Sequence, residues 1–137
     1  MIKFLTRDEV RPLWEKYFEY GSSDETPKDF IVPESWIYLG NQNCVIAFEP
    51  FLEGVWAVHA CGTFRSKVAD VLKDTFEIMS EVFKAKKIVA HIPSYNIRAI
   101  RCGIRAGMHG KARLEKKFLK HGELHDMVVL GVDLCLS

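Results

Sequence analysis

The sequence predicts an α/β (α+β) fold: a mixed, mostly antiparallel central sheet with helices on both faces, in the order β-α-(α)-β-β-β-α-β-α-β-β. Three observations carry that reading. Residues 35–60 hold three strand-like segments separated by short Gly-, Asn- and Pro-containing connections, the pattern of an antiparallel meander. Residues 66–86 then change to a helical period. A short apolar strand follows at once, and strand, long helix, strand is the pattern of a parallel crossover. With 137 residues and 15.7 kDa, the chain is expected to form one domain over residues 1–137, large enough to build a core without disulfides or a structural metal.

The elements follow in order. Ile2 to Leu5 is a short apolar strand, and Thr6-Arg-Asp-Glu9 has the spacing of a capping box with Leu5 and Val10 as its staple. Val10, Leu13, Trp14, Tyr17 and Phe18 line one helix face. Pro12 argues for a start nearer Asp8 or Glu9, where a missing N–H costs less. The polar stretch from Gly21 to Asp29 reads as a loop, with the bracketed helix of the element order before the next strand. Strands are expected at Ser35–Leu39, Cys44–Phe48 and Val55–Ala60, with a turn at Gly40–Asn43 and a connection at Pro50–Gly54. From Ser66 to Lys86, Val68, Val71, Leu72, Phe76, Met79 and Phe83 make the apolar face of the long helix. Ile88–Ile92 is a strand stopped by Pro93. Asn96–Ala106 is a compact helix closed by Gly107, and Ala112–Lys120 and Leu124–Leu134 form a hairpin through His121-Gly122-Glu123.

Composition removes several classes of function. Residues of apolar type make up 48% and charged residues 27%, too apolar a mixture for a disordered chain. A net charge of +1 leaves no general field for a nucleic-acid backbone, so no nucleic acid is expected. No apolar run approaches the roughly 20 residues of a membrane helix, and the amino terminus lacks a signal-peptide core, so no membrane is expected and the setting is cytoplasmic. Cys44, Cys61, Cys102 and Cys135 are widely spaced, which reads as packed free thiols. His121 and His125 stand four apart in a hairpin, about 13 Å at roughly 3.3 Å per residue, so they do not make a metal pair. Arg98, Arg101 and Arg105 form one basic stripe on a helix. Lys111, Arg113, Lys116, Lys117 and Lys120 form a second basic cluster, suited to keeping an exposed hairpin dispersed.

In its second half the chain resembles the GCN5-related N-acetyltransferase family. The residues that carry this are Asn96-x-x-Ala99-Ile100 followed by Ala106-Gly107-Met108, and the closing segment Gly122-Glu-Leu-His-Asp126-Met-Val-Val-Leu130, similar to members that acetylate protein amino termini. Element order extends the resemblance over nearly the whole chain; residue similarity covers about the last third. It implies an acetyl-CoA-dependent transfer to an amine, with the cofactor between the strands Val55–Ala60 and Ile88–Ile92. The backbone at Val58 and Ala60 would face the pantetheine arm, and Arg65, Ser66, Lys67, Val68 and Ala69 would receive the pyrophosphate at a helix amino terminus, with Asn96 opening the later helix. His59 or Glu49 would serve as the base, with His91 a further candidate lining the same opening.

Two departures keep a second reading open. The glycines usual in the phosphate turn are replaced by Val68 and Asp70, and the usual Tyr seven residues after the Asn is Gly103. A fold-only binding or assembly module, loosely similar to divergent versions encoded by tailed bacteriophages, is the alternative. The acceptor, a protein partner and self-association into a homo-oligomer are not identified by the sequence.

Overall fold

The computed structural model describes residues 2–21, 23, 33–41, 43–62 and 67–134, with side chains left undescribed at 16–21. Within these residues the elements are β1 (Lys3–Phe4), α1 (Arg7–Gly21), β2 (Ile37–Asn41), β3 (Cys44–Leu52), β4 (Val55–Gly62), α2 (Val68–Phe83), β5 (Lys87–Pro93), α3 (Ile97–Arg105), β6 (His109–Lys120) and β7 (Glu123–Asp133). One sheet of seven strands runs β1-β2-β3-β4-β5-β7-β6. Every neighbouring pair is antiparallel except β4 and β5, which are parallel and joined through α2. The expected crossover and mixed sheet are therefore present. The bracketed helix falls outside the described residues.

Period-two alternation sends the side chains of β2, β3 and β4 to two different cores. Cys44, Ile46 and Phe48 of β3 pack with Leu72, Phe76 and Met79 of α2 and with Ile88, Met108 and Leu130. The intervening Val45 and Ala47 pack instead with Val10, Leu13 and Trp14 of α1, and with Tyr38 and Cys61. Helices thus cover both faces: α2 and α3 on one, α1 on the other.

Local chemistry moves several boundaries from their expected places. Helix α1 begins at Arg7, before Asp8, because the Thr6 box closes: the Thr6 N–H donates to Glu9 Oε1 at 3.1 Å and the Glu9 N–H to Thr6 Oγ1 at 3.2 Å. Leu5 and Val10 meet in one cluster, so the staple forms, and the helix absorbs Pro12 at its exposed side. Gly40 and Asn41 belong to β2 and not to the turn, pairing with Val45 and Cys44. Gly40 adopts φ +146°, and a Cβ there would collide with the Cys44 carbonyl oxygen. The Asn43 N–H donates to Asn41 Oδ1 at 2.8 Å and closes the shortened turn. Strand β3 runs on through Pro50 to Leu52 with one irregularity. Helix α2 stops at Phe83, short of Lys86, because Lys84 turns left-handed at φ 56° and the Ala85 N–H returns to the Met79 carbonyl at 3.0 Å.

Cys44 and Cys61 are buried, Cys102 is half-buried, and all three are free. Burial pushes the Cys44 and Cys61 thiols up to about 12, which keeps them protonated packing groups. Cys135 lies outside the described residues. No helix among the described residues is long and apolar enough to cross a membrane.

Candidate functional site

Strands β4 and β5 pair only at Val55–Lys87, Trp56–Ile88 and Ala57–Val89. Beyond that, β4 continues to Gly62 paired with β3, while β5 continues to Pro93 paired with β7. The sheet is split from Val58 and Ala90 onward, and backbone groups line both edges of the split. Ala60, a small residue in mid-strand, is exposed there.

The split separates two kinds of residue. Val58 lies in the core shared with α2 and α3, and Ala60 has the same parity on β4. His59 points to the α1 face, where it meets Glu49: His59 Nε2 lies 3.0 Å from Glu49 Oε1. The registers place Glu49 opposite Ala57 and His59 opposite Ala47, so the two side chains meet diagonally across β3 and β4. His91 has the parity of Lys87 and Val89, opposite to the core residues Ile88, Ala90 and Ile92, and so shares the α1 face. All three candidate bases are therefore on one face at the border of the split.

Their surroundings give them different roles. The hydrogen bond with His59 holds the Glu49 carboxyl below its ordinary range, against the effect of burial and with help from the positive potential of His59 and His91. An ionised Glu49 only accepts, so the proton of neutral His59 resides on Nε2 and the lone pair on Nδ1. Trp36 stacks on the imidazole at 4.9 Å and 9°, and Trp14 meets it edge-on at 6.3 Å. Neither tryptophan was singled out from the sequence as a site residue, although Trp36 lies two residues before Tyr38 and Trp14 sits on the apolar face of α1, signals that pointed to packing.

On the other face, Lys67 caps α2 without a side-chain hydrogen bond, and the helix's first amides follow at Val68, Ala69 and Asp70. Val68 packs against the core, so its side chain is drawn away from that terminus, while Asp70 is exposed in the first turn. Arg65 and Ser66 lie outside the described residues. Asn96 caps α3 through its side-chain oxygen, which accepts from the Ala99 N–H at 3.2 Å. Gly103 is buried, and a Cβ there would stand 2.7 Å from Leu130 Cδ1. The position faces β7, and Leu130 occupies the space a larger residue would need.

The remaining candidates fall away from this centre. Arg98, Arg101 and Arg105 are exposed along α3, and Lys111 to Lys117 are exposed along β6. Arg113 and the Lys116 N–H instead hold Asp126, at 2.7 and 3.0 Å, and lower its carboxyl pKa. His121 is in the turn at φ 52°, and among the described residues no group of three His, Cys, Asp or Glu is placed to hold a metal ion.

A split between two parallel strands, opened beside a crossover helix, can be compared with solved structures. The chain superposes on a ribosomal-protein-alanine N-acetyltransferase from Brucella melitensis with TM-score 0.78 and 13% identity, over 98% of this chain and 99% of that one. A putative acetyltransferase from Salmonella typhimurium, solved with its cofactor acetyl-CoA, gives 0.80 and 13% over 98% and 94%. The chain has the GCN5-related N-acetyltransferase fold. A spermidine N-acetyltransferase variant from Vibrio cholerae shares this acetyltransferase fold at TM-score 0.79 and 10% identity, over 98% of this chain and 93% of that one. No family model and no curated protein matches the sequence. Identities this low carry the acetyltransferase fold and leave the chemistry to the residues.

Proposed function

We propose that residues 1–137 act as one acetyl-CoA-dependent N-acetyltransferase domain. The observation that carries this reading is the split between β4 and β5 with the His59–Glu49 pair at its border. Unpaired backbone at Val58 to Ala60 and the exposed, small Ala60 suit an extended amide-bearing arm such as pantetheine. The amides of Val68 and Ala69, with Lys67 and the neighbouring Arg65 and Ser66, would take the pyrophosphate. Asn96 supports the helix on the other side of the split. When bound, the cofactor supplies an activated acetyl thioester.

The chain's own part is proton management and orientation. The phosphate-side residues and the base lie on opposite faces, so the amine approaches from the α1 face. His59 accepts the ammonium proton at Nδ1, Glu49 holds the ring in that tautomer and balances the imidazolium, and Trp36 fixes its plane. His91, on the same face, is the further candidate base. Gly103 supplies no acid, so the departing thiolate would draw its proton from solvent or from the imidazolium.

Calorimetric titration with acetyl-CoA and CoA tests the reading, together with thiol release in the presence of an amine. Binding below 1 mM that Arg65→Ala weakens is expected, and His59→Gln should lower kcat about 100-fold with CoA affinity unchanged. No binding at about 1 mM, equivalent to roughly 4 kcal/mol, overturns it. The packing of Leu130 into the Gly103 position favours the second reading, an assembly module on the same fold. That reading requires a stoichiometric complex with another protein and no response to CoA.

A further inference from the structure

Strand β6 does not run evenly along β7. Leu114 is opposite Met127 and Phe118 opposite His125, so Glu115, Lys116 and Lys117 stand against the single residue Asp126. The surplus is looped out as a bulge, and Lys116 takes the left-handed φ of 50° to make it. The Asp126 carboxylate closes over this bulge with both oxygens: Oδ1 accepts from the Lys116 N–H at 3.0 Å and Oδ2 from Arg113 Nε at 2.7 Å. The two bonds differ in what they hold. The first fixes the backbone at the left-handed residue; the second ends on a side chain that is 61% exposed, where water can replace it.

The bulge decides where β6 resumes. Phe118, the first residue back in register, pairs with His125, and both rings meet Tyr95, at 6.0 and 4.9 Å. Tyr95 belongs to the turn that follows β5, and β5 from Ala90 to Pro93 is one edge of the split. The backbone of that turn is tied to the same aspartate, for the Ser94 N–H donates to the Asp126 carbonyl at 2.8 Å. The Asn96 N–H then donates to the Pro93 carbonyl at 2.9 Å, the Ile97 N–H to the Tyr95 carbonyl at 3.1 Å, and the Ala99 N–H to Asn96 Oδ1 at 3.2 Å. Asp126 therefore reaches the turn twice: directly through its carbonyl, and through the bulge and Phe118 by way of the Tyr95 ring.

We propose that Asp126 is a positioning residue for the cofactor side of the split: its bond to the Lys116 N–H sets the bulge that seats Tyr95, and the seated Tyr95 fixes the Asn96-capped start of α3. Packed rings and hydrogen bonds carry such coupling when they form a contiguous set. The consequence for acetyl-CoA rests on the transferase reading; the hold on the turn does not.

Hydrogen exchange and acetyl-CoA kinetics of the intact chain test the two separately. In Asp126→Ala, the Ile97 and Ala99 amides should exchange about tenfold faster relative to the Met79 amide of α2, the order of one lost charge-assisted hydrogen bond. KM for acetyl-CoA should rise by a similar factor, with kcat and its pH profile unchanged. Asp126→Asn, which still accepts from the Lys116 N–H, and Arg113→Gln should each stay within about twofold of the parent chain. Phe118→Ala, with the carboxylate intact, should reproduce both effects of Asp126→Ala. Unchanged exchange at Ile97 and Ala99 in either alanine variant, an equal acceleration at Met79, a full effect from Arg113→Gln alone, or a fall in kcat with KM unchanged would each overturn the proposal. Faster exchange at the turn in a chain that binds no acetyl-CoA retains the hold of Asp126 on α3 and removes the transferase reading instead.

Discussion

The two halves of the sheet are built from similar strands yet stand in different surroundings. Strands β2 to β4 are packed on both sides, against α2 through Ile46 and Phe48 and against α1 through Val45 and Ala47. Among the described residues, strands β5, β7 and β6 pack into a core on one side only, through Ile88, Ala90, Leu130 and their neighbours. The border between the halves is the seam of three parallel pairs, and Glu49, His59 and His91 sit along it. Among the described residues the second helical layer ends at the seam where these three candidates lie, and the doubly covered half holds the His59 ring between Trp36 and Trp14.

Thiol reactivity provides the sharpest contrast between halves. In a Cys135→Ser background at pH 8, Cys44 and Cys61, pushed up to about 12 by burial, should resist alkylation until the chain unfolds, while the half-buried Cys102 of α3 reacts first. Equal rates for all three, followed by mass spectrometry, would erase the distinction. Truncation energies come next. Phe48→Ala, fully buried in the first half, should cost about 3–5 kcal/mol in urea unfolding; Val129→Ala, half-buried in the second, should cost about 1 kcal/mol or less.

Gly103→Ala tests how tightly the one covered face of the second half is closed. Driving a Cβ into Leu130 should cost about 1–3 kcal/mol, and Gly103→Ala combined with Leu130→Ala should cost less than the sum of the two. Strict additivity would show that Leu130 moves aside freely. The smallest effect is expected at the border. Because the Glu49 pKa is lowered in the folded chain, its pairing with His59 stabilises fully above its ordinary value of 4.5 and fades as pH falls through the lowered value. Glu49→Gln should flatten that part of the acid limb of the unfolding curve; an unchanged slope would mean that the pair adds nothing.

Much of the first half was legible in the sequence, since its signals are local. The capping box at Thr6 and Glu9, the period of α2 and the apolar run Cys44–Phe48 of β3 each occupy one short window and settle one element. Boundaries shifted where a tertiary contact won: Gly40 lacks the Cβ that would strike Cys44, so it joins β2, and Lys84 accepts a left-handed turn, so α2 ends early. The site was partly legible. His59, Glu49 and His91 could be named as titratable strand residues, but their meeting depends on a diagonal across two strands and a shared face, which no single window contains. Trp36 on His59 has the same origin. Gly103 reads in sequence as a missing hydroxyl, and only the packing of Leu130 shows why nothing larger fits.

Strand β6 closes the sheet as its outer edge, with His109 to Lys117 exposed and its register broken at Gly110–Ala112 and again at Leu114–Phe118. A net charge of +1 gives whole molecules little mutual repulsion. Protection against strand-by-strand stacking into fibres must therefore be local, and this edge supplies it. The two breaks leave no straight run long enough to template another chain, and Lys111, Lys116 and Lys117 bring like charges together whenever two such edges meet.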